Sequence, residues 1–231
     1  MLFERGNMRA VLISRILESI SSTIATFKAR RLDKGRIDNL AVLIEFTHTR
    51  AAYVAQTSLY GYLKTRMGTR FRVIFEDDAF AAPLANAKWR TYAACLSDLS
   101  VFAVSTIVRA CELDAAQSAQ LAQHCFKSAV TATFDDCDIA DLQADIVERF
   151  AQRCAYVDWQ SAGDLENAFT VSPGELIGSA PVIEEYKELD REIVTNSIRF
   201  RWRDVREQFR KRVDGAPICA EWSGLKRVLL T

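Results

Sequence analysis

Glu45 and His48, in the stretch EFTHTR (45–50), come closest in residue type and spacing to a piece of chemistry. A Glu-x-x-His pair sets a carboxylate and an imidazole about one helical turn apart. One helix contributes such a pair to a two-metal carboxylate site in a four-helix bundle. A complete site of that kind needs a second Glu-x-x-His and two further glutamates on facing helices. The only other histidine is His124, and the residue three before it is Leu121. His48 is therefore expected to be a core imidazole satisfied by Glu45, a tyrosine or backbone, with no metal and no cofactor. The pair also anchors an alternative reading, an enzyme or carrier with a ligand or metal pocket between helices.

Little else in the chain declares a reaction. The acidic knots FEDD (75–78) and FDDCD (134–138) fall where helix caps gather and lack the alternating oxygen ligands of a calcium loop. There is no GxxxxGK[ST], GxGxxG after a strand, HExxH or GxSxG. Cys125 follows His124, but adjacent helical positions point about 100° apart, so their adjacency alone is no evidence of a nucleophile and its base, a pairing that proximity in the fold could still make. The six cysteines, Cys95, Cys111, Cys125, Cys137, Cys154 and Cys219, contain no CxxC. Each is expected to be a small buried hydrophobe rather than a zinc ligand or half of a disulfide. That usage points to a reducing compartment, the cytoplasm.

The elements that must position these residues are helical. From Gly68 to Gly163 there is no intervening glycine and one proline, Pro83, in a stretch rich in good helix formers. Helices are expected over about 7–31, 36–67, 83–111 and 114–133, with another from 138. Asp114 and Gln117 form a capping box, and Gly68 ends the second helix. SPGE (172–175) reads as Ser172 at the N-cap, Pro173 at N1 and Glu175 at N3 of a short helix. A long helical region from 181 to 213 follows, with an apolar seam that drifts across Thr195, Asn196 and Ser197. TRFRVIFE (69–76) is the only β-like run. The fold expected is all-α: one domain over 1–231, a bundle of about six to eight helices with little or no sheet. Residues 191–231 are expected to pack on it as a basic helical extension.

Residues 91–108 carry one charge, Asp98. A helix apolar nearly all round belongs in the middle of a bundle, with Leu96, Leu99, Phe102 and Ile107 buried. Asp98 then needs a partner on another helix, because an unpaired buried carboxylate is costly. The uninterrupted run from Leu99 to Val108 is too short to cross a bilayer, which takes ~20 helical residues, so no transmembrane span is expected. The N-terminus likewise lacks the apolar run and cleavage site of a signal peptide.

Charge is sorted along the chain although it sums to zero. Residues 1–74 carry 13 Lys/Arg against 5 Asp/Glu, residues 135–190 carry 3 against 14, and residues 191–231 carry 10 against 5. The densest basic stretch is IRFRWRDVREQFRKR (198–212). Arg199, Arg203, Arg206 and Arg210 share one helical face there, beside Trp202, Val205 and Phe209 on an adjoining one. Arg199, Trp202, Arg203, Arg206 and Arg210 are thus the candidate partner-binding residues. The reading favoured is a non-enzymatic helical adaptor, assembly or regulatory protein that meets a protein partner with an acidic surface, or a second copy of itself. Its rival is nucleic-acid or anionic-membrane binding through 198–212, since arginine and aromatics together can grip phosphate and stack on bases.

Overall fold

The computed structural model describes residues 35–71, 78–111, 113–134, 140–163 and 168–229. The helix expected over 7–31, most of TRFRVIFE and nearly all of both acidic knots lie outside the described residues. Seven α-helices are described: α1 (Leu40–Met67), α2 (Asp78–Val108), α3 (Ala115–Phe134), α4 (Ala140–Cys154), α5 (Val171–Ser179), α6 (Glu184–Arg212) and α7 (Gly215–Leu229). Among the described residues there is no sheet, only one isolated bridge between Ile37 and Val213.

Several helix ends follow from local sequence. Asn39 caps α1 by accepting from the Val42 N–H at 2.9 Å. Gly68 closes that helix at φ 52°, in the left-handed region that favours glycine. At the start of α3, Gln117 N–H donates to the Asp114 carboxylate at 2.7 Å, and Asp114 N–H donates to the Gln117 side chain at 3.0 Å. That is a reciprocal capping box.

Other ends depart from the expectation. α2 begins at Asp78, so Pro83 lies inside it rather than in its first turn and forfeits a backbone bond there. α6 runs without interruption through Thr195–Ser197 and ends at Arg212, after which a separate helix opens at Gly215. Gly215 sits at a close approach between helices. A Cβ there would stand 3.1 Å from the Ala110 Cβ and 3.3 Å from the Ile107 carbonyl oxygen.

α2 is the axis of the bundle and packs against α1, α3, α4, α5 and α7. Every residue from Thr91 to Val108 is buried except Thr106, which is partly so. Leu96, Leu99 and Phe102 are fully buried, and Ile107 nearly so. The helix is long and apolar enough to cross a membrane, yet 94% of its most apolar window is buried inside the protein. Its position in the core accounts for that composition. One apolar cluster draws on all seven helices, with Phe102, Phe169, Trp202 and Phe209 in ring contact near its centre.

The cysteine expectation needs correction. Cys111, just beyond α2, is disulfide-bonded to Cys219 in α7 across 108 residues of sequence. Cys95, Cys125 and Cys154 are free and buried as expected. The apolar surroundings of each cysteine are local and carry no record of which two ends of the fold meet. The pairing removes the cysteine-based ground for expecting a reducing compartment.

Candidate functional site

His48 turns to a tyrosine. Its Nδ1 lies 2.8 Å from the Tyr92 hydroxyl and 3.3 Å from Thr133 Oγ1, which are themselves 3.2 Å apart. Burial raises the Tyr92 phenol well above its ordinary pKa, so it stays protonated in this network. Glu45 is exposed and lines a different space, an open hollow of about 330 Å³ bounded also by Phe46, Arg50 and Arg212. His48 does not line it. Among the described residues, no three His, Cys, Asp or Glu side chains are grouped to hold a metal. His124 packs against Trp222 with ring centroids 5.3 Å apart and the planes tilted by 40°, and burial pushes the neighbouring Cys125 thiol up to about 12.

Asp98 finds its partner on α4. Arg153 donates to its carboxylate at 2.8 Å, to Ser97 Oγ at 2.7 Å and to the Ala168 carbonyl at 2.7 Å. The same carboxylate accepts from the N–H of Ser172 at 2.8 Å and of Val171 at 3.2 Å. Asp98 therefore caps α5. Ser172, expected as the cap, is already helical, and its hydroxyl instead accepts from the Trp202 indole at 3.1 Å. Burial pushes the Asp98 carboxyl upward, while Arg153 and the two amides pull the other way. All these contacts are internal, which makes the cluster a joint between four helices.

Beside this joint lies a cleft of about 360 Å³ with an apolar floor of Phe126, Leu142, Ile146 and Phe150. Three arginines border it, and each is matched by a carboxylate: Arg90 by Glu175, Arg149 by Asp145 and Arg153 by Asp98. The charges that border the cleft are thus compensated in pairs.

The candidate arginines of α6 do not share one fate. Trp202 is 1% exposed and belongs to the core with Val205 and Phe209. The Arg206 guanidinium lies over the Phe169 ring, and Arg210 lies over Phe102 while donating to the Gly163 carbonyl at 2.8 Å. Arg199 and Arg203 are exposed, with Arg203 stacked 4.7 Å from the centroid of Phe200. Of the expected face of four arginines, Arg199, Arg203 and Arg210 are exposed and Arg206 is half-buried, with Arg206 and Arg210 also lying against core aromatics.

Sequence reasoning missed a second apolar stripe on the same helix. Tyr186, Leu189, Ile193 and Phe200 are 43%, 76%, 68% and 61% exposed, and Ile183 at the N-cap is exposed too. Four of the eight large apolar side chains left exposed among the described residues therefore lie in this one helix and a fifth at its N-cap. The stripe lies roughly 140° around the helix from the buried line of Val194, Ile198, Trp202, Val205 and Phe209. Its signal in the sequence is the spacing of three, four and seven from Tyr186 to Phe200. No protein-family model matches the chain, and no curated protein and no solved structure matches it either.

Proposed function

We propose that this protein is a non-enzymatic helical adaptor or regulator that acts through protein–protein contact, and that the outer face of α6 is its docking surface. The observation that carries the reading is the exposed stripe of Tyr186, Leu189, Ile193 and Phe200. Apolar side chains clustered on one face of a folded protein mark an interaction site far more often than scattered ones do. Arg199 and Arg203 flank the stripe and supply charge that steers and registers a partner. Arg206, half-buried and turned toward the Phe169 ring, has less to offer phosphate, which weighs against nucleic acid.

The test places a photoreactive residue at position 193 and a control at exposed Glu148 on α4, in cells that make the protein. Crosslinking to a protein from 193 but not from 148 is the expected result. Arg199→Glu with Arg203→Glu should weaken that crosslink and leave the thermal transition within a few degrees, because neither side chain is buried. Absence of any protein crosslink at 193 would sink the reading.

A further inference from the structure

We infer that the outer face of α6 takes a second copy of this chain, the two helices running antiparallel about a two-fold axis near Asn196. The inference rests on the reading of α6 as a docking surface and names its partner. Charge along the helix carries it. Counting exposed side chains alone, residues 184–193 hold Glu184, Glu185, Glu188 and Glu192 against Arg191, while residues 199–212 hold Arg199, Arg203, Arg210 and Lys211 against Asp204 and Glu207. Parallel copies would set acid against acid and base against base. Antiparallel copies set each half against its opposite.

The register follows from residue numbers on an antiparallel pair, where facing positions sum to a constant. A sum of 391 brings Glu192 opposite Arg199 of the second copy and Glu188 opposite Arg203, and the converse pairs form by symmetry. All four side chains are exposed on one flank of the stripe. They are too far apart along one helix to be natural partners: Glu188 and Arg203 are separated by 15 residues, about 22 Å. The same register puts Phe200 between Leu189 and Ile193 of the other copy, apolar against apolar. The axis then falls between Thr195 and Asn196, and polar residues at the middle of such a seam favour one register over its neighbours.

The test uses the full chain and sedimentation over a range of concentrations. Wild type should pass from monomer to dimer, and Ile193→Asp should raise the dimer dissociation constant by about tenfold or more. Two charge variants decide the orientation. Glu188→Arg with Glu192→Arg makes the flank basic throughout, and Arg199→Glu with Arg203→Glu makes it acidic throughout. Each should be monomeric alone, and an equimolar mixture should give a heterodimer that weakens as salt is raised. Wild type that stays monomeric at every concentration overturns the inference. So does a mixture that fails to associate, or a crosslink from position 193 into residues 1–34 of its own chain. A crosslink from 193 to a different protein also overturns it but leaves α6 as a docking surface, whereas no crosslink at all removes both.

Discussion

Asp98 is the buried carboxylate through which α2 is bonded to both α4 and α5. It is fully buried, ion-paired with Arg153, and bonded to two amides at the start of α5. Removing one partner of a buried pair leaves the other charge uncompensated, at a cost of about 3–5 kcal/mol. Asp98→Ala should therefore lose about that much in chemical denaturation. Asp98→Asn keeps an acceptor for one amide and should lose less. Equal losses in the two variants would mean that the volume of the side chain matters and its bonding does not. His48 makes the contrasting case: its ring is engaged by Tyr92 and Thr133, and the glutamate one turn away faces another space.

Helix α2 shows what one element contributes. Its apolar girth forces it to the centre, and its single buried acid, Asp98, then becomes a joint for the helices around it. Leu99 is fully buried there, so Leu99→Ala should cost about 2–5 kcal/mol in equilibrium unfolding. A cost under 1 kcal/mol would mean that the neighbours collapse into the space. Capping between elements recurs at α1, where the Leu40 N–H donates to Glu221 of α7 at 2.8 Å. α6 is the opposite kind of element, with one face buried and another apolar face left to solvent. A helix with two apolar faces has more apolar surface than one bundle can cover.

For the whole molecule, part of the charge sorting is consumed internally. Arg66 of the basic first third is bound to Asp190 of the acidic block, which ties α1 to α6 and holds the Asp190 carboxyl below its usual range. Arg36 meets Asp214, an acid within the C-terminal basic block. The chain is also closed by Cys111–Cys219, which ties the end of the central helix to α7. A crosslink spanning 108 residues restricts the unfolded chain by up to about 4–5 kcal/mol in the chain-entropy treatment. Cys219→Ser, or reductant on the wild type, should lower the thermal transition, and denatured oxidised protein should titrate two fewer thiols than reduced protein. An unchanged transition would show that the loop adds nothing to the folded state's advantage.

What the sequence by itself determined is local. The all-α class, the central helix, the Asp114–Gln117 box and the glycine at the end of α1 all follow from residues within a few positions of one another. Helix propensity, capping and amphipathic period act over that range. The tertiary structure alone decided which cysteines meet, which acid caps α5, and that His48 is held by Tyr92 rather than by Glu45. It also decided that Arg206 and Arg210 cover core rings while Tyr186, Leu189, Ile193 and Phe200 stay uncovered. Each of those outcomes depends on the distance between elements far apart in the chain. Periodicity places a residue on a face of its helix; only packing shows whether another helix covers that face.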